Sequence, residues 1–223
     1  MKSPARLVAR VCLAEVLSMT AVAVYPALLP VLARQWLLSN AEAGTIGGVF
    51  YGGYMAAVPL LTGLTDRIDA RRIYLSSCAL AAAGALGFSF LAQGWISAAF
   101  FQAVLGAGLA GTYMPGLRLL SDHLEGSGQS RAVSFYTSSF GVGTSLSLWL
   151  AGQTEAAVGW RAAFLLAAAG PLLAVPLILS LPSGRRSSPG GTAPAFQFRS
   201  VFQNTAALSY IVGYAAHCWE LFG

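Results

Sequence analysis

The chain has 223 residues, of which 56% are hydrophobic and only 9% charged, and its mean hydropathy is +0.65. A soluble domain carries about 25% charged residues, so this chain lacks the polar surface to face water on all sides. The formal charge of +5 argues for no nucleic-acid partner, because the basic residues sit between long apolar runs and form no basic face.

Crossing a hydrocarbon core of about 30 Å takes roughly 20 helical residues. Runs of that kind occupy 11–33, 43–64, 73–92, 96–120, 132–151, 161–181 and 201–223. The first begins behind Lys2, Arg6 and Arg10 and holds Ala21-Val22-Ala23, as a cleavable signal would. Glu15 interrupts the apolar stretch and the run continues to Leu32, which reads as a retained span. At 100° per residue, Glu15, Ser18 and Tyr25 fall within about 80° of one another. Charge inside a span costs at least about 2.5–3.5 kcal/mol at the bilayer centre, so it marks function by default. Two readings of Glu15 stand side by side. It lines a cavity as a proton or cation site, or it lies about one turn from the helix end and pairs with a nearby arginine.

The second span holds Tyr51 and a Gly48-to-Gly52 GxxxG, and the fourth holds Gly106, Gly108 and Gly111. Small residues of this kind let helix backbones approach where water supplies no hydrophobic push. Only Gln93-Gly94-Trp95 separates spans three and four, so these neighbours are antiparallel. Spans four and five offer Gln102, Thr112, Tyr113, Ser134, Tyr136, Thr137 and Ser138 as cavity-lining groups, or as side chains that cap backbone carbonyls. Residues 183–200 are rich in Ser, Gly and Pro and read as a flexible linker. On the seventh span, Tyr210, Tyr214, His217 and Glu220 share a face within about 120°. A His–Glu pair there relays protons or simply joins helices. Cys12, Cys78 and Cys218 have neither disulfide nor metal-ligand spacing.

Orientation follows from the basic residues. With the N-terminus in the cytoplasm, the inside segments hold Lys2, Arg6, Arg10, Arg67, Arg71, Arg72, Arg118, Arg131, Arg185, Arg186 and Arg199. Only Arg34 and Arg161 are left outside. That asymmetry predicts a multi-pass protein of an inner or plasma membrane with a cytoplasmic N-terminus.

The six helices read as two related threes. Phe50-Tyr51 in span two answers Phe135-Tyr136 in span five, Tyr25-Pro26 answers Tyr113 and Pro115, and Gly84 answers Gly170. Three spans separate the copies, so they run in opposite directions, as an inverted-topology repeat does. The expected fold is an all-α membrane protein. Residues 1–182 form a six-helix bundle of 3+3 inverted design, 183–200 a cytoplasmic linker, and 201–223 a seventh helix that starts an incomplete second bundle.

The turn after span two, Gly63-Leu-Thr-Asp66-Arg67-Ile-Asp69-Ala-Arg71-Arg72, taken with this topology, resembles the signature loop of the major facilitator superfamily. Gly159-Trp160-Arg161-Ala-Ala-Phe164 resembles that family's entry to its sixth helix, and Tyr210 to Gly223 the start of its seventh. The resemblance implies a conformational latch made by Asp66, Arg67, Arg71 and Arg72, with Asp122 as a partner. It also implies a substrate site between two six-helix halves. The turn is one residue longer than the family pattern at Asp69-Ala70. Gln102 stands where many members carry an Arg linked to proton coupling, and Gly143-Thr144-Ser-Leu-Ser147 lacks the proline of the drug antiporters. A Gln holds no charge, so the resemblance implies no proton coupling through position 102, and the missing proline argues against drug efflux and leans toward uptake.

No HExxH, GxSxG or GxxxxGK[ST] pattern is present, so nothing in the sequence indicates an intramembrane enzyme, an ATP-driven pump or a metal site. The lone Lys2 leaves no lysine in a span for a retinal Schiff base. The expected function is secondary active transport of a small solute by alternating access, coupled to a proton or another ion, without a cofactor. The alternatives are an incomplete or regulatory half-transporter inactive alone, or an intramembrane enzyme. The expected partners are the lipid bilayer, a small-molecule substrate, a coupling proton or cation, and the C-terminal half of the same transporter or a second chain.

Overall fold

The computed structural model describes residues 4–65, 67–183 and 202–222, with side chains in the last helix described through Ala216. All regular structure among the described residues is helical: α1 (Pro4–Met19), α2 (Val24–Gln35), α3 (Asn40–Leu64), α4 (Ala70–Leu91), α5 (Trp95–Ser121), α6 (Gly126–Val158), α7 (Trp160–Leu179) and α8 (Thr205–Phe222). The chain forms two compact units, residues 1–186, which hold α1 to α7, and residues 187–223, which hold α8.

The first predicted span is two helices. Between α1 and α2, residues 20–23 form turns, and the amide of Ala23 has no helical partner. It donates instead to Ser147 Oγ at 3.0 Å, and that hydroxyl donates to the Thr20 carbonyl at 2.7 Å. A side chain of α6 therefore completes the backbone bonding of a break inside an apolar span, as lipid requires. Pro26, in the first turn of α2, has no N–H to offer the preceding turn.

The other helix ends have local causes. Ser39 and Glu42 form a capping box at the start of α3, with Glu42 N to Ser39 Oγ at 3.3 Å and Ser39 N to Glu42 Oε2 at 2.8 Å. Asp69 caps α4 by accepting from the amide of Arg71 at 2.9 Å. Gly159, at φ +97°, ends α6 and turns the chain directly into α7, a conformation that favours glycine. Among the described residues, five stretches are long and apolar enough to cross a membrane: the combined α1–α2, α3, α4, α5 and α7. The helix of the predicted fifth span, α6, is the longest at 33 residues. It is richer in Ser, Thr, Gly and Gln than its neighbours and extends beyond the predicted 132–151 at both ends.

Packing shows the inverted repeat directly. α4 packs on α5 and α7 packs on α1, while α3 packs on α5 and α6 on α1. Exchanging the first three spans with the last three converts each of these contacts into its counterpart. Gly84 and Gly170 mark the first pair: a Cβ on Gly84 would meet the backbone of Leu105 on α5, and one on Gly170 the Leu17 carbonyl of α1. The tyrosines obey the same exchange. Tyr25 donates to the Ala43 carbonyl of α3 at 2.8 Å, and the Tyr113 hydroxyl lies 3.2 Å from Thr137 Oγ1 of α6.

The Phe-Tyr match is out of step by one. Phe50 is buried at 5% exposure while Phe135 is 58% exposed; Tyr51 is 61% exposed while Tyr136 is fully buried. Phe50 therefore corresponds in space to Tyr136, at the same separation that relates Gly84 to Gly170. Gly48 and Gly52, the expected GxxxG, meet nothing within 4 Å of where a Cβ would stand, whereas Gly53, Gly106, Gly108 and Gly111 sit against neighbouring helices.

Two apolar clusters fill the bundle. One gathers Tyr25, Trp36, Phe88, Trp160 and Phe164, with the Phe88 and Phe164 rings stacked at 3.9 Å. The other gathers Leu7, Val11, Tyr74, Leu119, Tyr136 and Ile178. Along α1 the buried residues of the second cluster end at Ala14, with Leu17 packed against its edge, and those of the first begin at Met19. Glu15 and Ser18 lie in the interval.

Candidate functional site

Glu15 is fully buried. Its Oε2 accepts from Tyr136 of α6 at 2.8 Å and from Tyr74 of α4 at 3.3 Å. Its Oε1 has no hydrogen-bond partner. Ser18, one turn on, sits 3.2 Å from the Tyr74 hydroxyl and 3.9 Å from Cys78 Sγ. The Tyr136 hydroxyl also lies 3.1 Å from the Thr112 carbonyl of α5. Four segments of the fold thus meet at one carboxyl. The groups against it are tyrosine hydroxyls, and among the described residues no arginine is paired with it.

A carboxylate taken from water into such an interior has to be compensated by hydrogen bonds, a cation or a proton. Here hydrogen bonds serve one oxygen and leave the other bare.

The remaining candidates are placed as follows. Tyr25 does not join Glu15 and Ser18, because the break at 20–23 interrupts the helical periodicity that would align them; it bonds to α3 instead. Tyr51 is exposed, and Gln102 is buried with its Nε2 unpartnered. Tyr113 stacks on Tyr136 with ring centroids 5.4 Å apart, and Thr137 lies beside it. Asp66 falls outside the described residues, as do the side chains of His217 and Glu220; Tyr210 and Tyr214 lie on α8. Arg67 and Arg72 are exposed. Arg71 donates from Nη1 to the Leu181 carbonyl at 2.8 Å, and Arg10 from Nη1 to Ser180 Oγ at 3.1 Å, so two arginines grip the end of α7. Asp122 accepts from Arg118 Nε at 3.2 Å within its own helix end.

Sequence reasoning missed Tyr74 and Cys78. The signal for Tyr74 was its place one turn inside a span that opens with two arginines, facing the buried side of α4.

The sequence profile of the Major Facilitator Superfamily matches residues 11–222. The chain belongs to that superfamily. Within it, the chain is 26% identical over 173 residues to a gentisate transporter of Corynebacterium glutamicum, which covers 76% of this chain and 37% of that protein. It is 21% identical over 163 residues to a benzoate transport protein of Acinetobacter baylyi, covering 71% and 35%. Among solved structures, a bacterial homologue of the human lysosomal transporter Spinster superposes with a TM-score of 0.76 over 92% of this chain and 50% of that one, at 19% identity. The proton:xylose symporter XylE gives a TM-score of 0.66 over 81% and 45%, at 15% identity. The chain spans about half the length of these structures and just over a third of the curated relatives. It is an integral, multi-pass membrane protein of a transporter family.

Proposed function

We propose that this chain forms the N-terminal half of a proton-coupled secondary transporter that takes up a small organic acid, an aromatic carboxylate in particular. The observation that carries the coupling is Glu15, buried among tyrosine hydroxyls with one oxygen unpartnered. The substrate class is supported by the names of the two relatives, both transporters of aromatic acids. Alternating access rocks this bundle against a second one, with α3 and α6 at the boundary, since α3 keeps most of its surface outside the bundle core. The N-terminus lies in the cytoplasm by the charge asymmetry of the loops. There Asp66, Arg67, Arg71 and Arg72 latch the helix ends, and the Arg71 bond to Leu181 is one such tie.

Uptake of labelled benzoate or gentisate into membrane vesicles, with a pH gradient imposed, tests this reading. A gradient should accelerate uptake by the complete transporter, and Glu15→Gln should remove that acceleration. A normal gradient response in Glu15→Gln returns Glu15 to a structural role. Binding of either acid without uptake by this chain would favour a half-transporter that needs a partner bundle.

A further inference from the structure

The Tyr136 hydroxyl has one hydrogen and two acceptors within reach, Glu15 Oε2 at 2.8 Å and the Thr112 carbonyl at 3.1 Å. It cannot serve both fully at once. Its position is fixed by a notch in α5: at Gly116, any Cβ would collide with the Tyr136 hydroxyl. The same part of α5 lacks one helical bond, because Pro115 has no N–H to donate to the Gly111 carbonyl four residues earlier.

We propose that Tyr136 is a positioning residue that reports the charge on Glu15 of α1 to the Pro115 segment of α5. The proposal rests on the reading that Glu15 takes up a coupling proton. A charged carboxylate is the stronger acceptor, roughly twice a neutral one, so it holds the tyrosine hydrogen. A proton arriving from water adds to Oε1, the oxygen without a partner. The carboxyl then loses its advantage, and the tyrosine hydrogen turns to the Thr112 carbonyl. No bond of the tyrosine breaks, and the only proton gained is the one on Glu15. The joint between α5 and α6 tightens where α5 already lacks one backbone bond, and Tyr113, stacked on Tyr136, moves with it.

The groups around the carboxyl are compatible with this sequence. Cys12 lies on its own helix, Tyr74 and Cys78 on α4, and Tyr136 on α6, with Tyr113 of α5 behind it. α7 carries no titratable side chain except Arg161 in its first turn. Tyr74 donates to the same oxygen but has Ser18 as its other neighbour, with no backbone carbonyl to turn to. Among the described residues, only Tyr136 joins the carboxyl to a main chain.

Infrared difference spectroscopy between low and high pH, on the chain reconstituted in lipid vesicles, separates the parts. A carboxyl band that vanishes in Glu15→Gln reports the proton on Glu15. A tyrosine C–O stretch, which shifts when a hydroxyl changes its acceptor, should accompany it and move on isotopic labelling of tyrosine. That component should persist in Tyr74→Phe and be lost in Tyr136→Phe while the carboxyl band remains. Gly116→Ala, which keeps the hydroxyl but fills its notch, should lose it too. A Glu15 carboxyl band with no labelled tyrosine component in the unmutated chain overturns the relay and leaves the Glu15 reading intact. Absence of the carboxyl band itself overturns both.

Discussion

Gly84 offers the sharpest test of how closely this bundle is packed. An alanine Cβ built there would lie 2.6 Å from Leu105 N, 2.8 Å from its Cα and 3.0 Å from its Cβ. Carbon atoms rest at about 3.5–4.0 Å, so α4 and α5 must separate by something near an ångström along a contact made of backbone. Such overpacking costs about 1–3 kcal/mol. Alanine returns about 1 kcal/mol through its better helix propensity. Gly48→Ala is the matched control, because its Cβ would meet nothing within 4 Å and only the propensity gain remains. The two variants should therefore differ by about 1–3 kcal/mol, with Gly84→Ala the less stable. Cys78 is fully buried, so a thiol-reactive dye reads unfolding on heating once Cys12 and Cys218 are replaced by serine. Equal melting of the two glycine variants would refute the close α4–α5 approach.

Ser147→Ala should strip the Ala23 amide and the Thr20 carbonyl of their shared partner. A buried group left unpaired costs about 1–3 kcal/mol, and faster hydrogen exchange at Ala23 than in the parent would show it. Ser147→Thr should restore protection. Arg71→Ala should loosen the end of α7 by about 1 kcal/mol through loss of its bond to the Leu181 carbonyl. A spin label placed next to Leu181 would report greater mobility, and unchanged spectra would leave the contact without weight. Asp66→Asn should abolish uptake by the complete transporter while membrane insertion stays intact. Unchanged uptake in vesicles would rule out its latch role.

Most of the spans were legible because burial in lipid forces long apolar runs, and those runs end where capping residues such as Ser39 and Asp69 begin the next helix. The ends of α6 were not, since Gly126-Ser-Gly-Gln and Gln153-Thr-Glu carry helix without apolarity. The break at 20–23 hid in an unremarkable Thr-Ala-Val-Ala, with Pro26 as its only local trace. Missing it placed Tyr25 beside Glu15 on a helical wheel that the backbone does not follow. Glu15 and Tyr136 were both singled out by residue type, but nothing in their spacing joined them: they stand 121 positions apart, and the bond exists only once α1 and α6 pack. Tyr74, equally remote, carried no motif to distinguish it.

The Ser147 stitch has a consequence for how the protein is made. Ala23 and its partner hydroxyl are separated by 124 residues, and synthesis delivers the first span to the membrane well before α6 has left the ribosome. A break in α1–α2 before α6 packs would leave an amide and a carbonyl without partners inside the span. The break at 20–23 is therefore a feature that the fifth span completes: alone, the first span pairs these groups only by running on as helix.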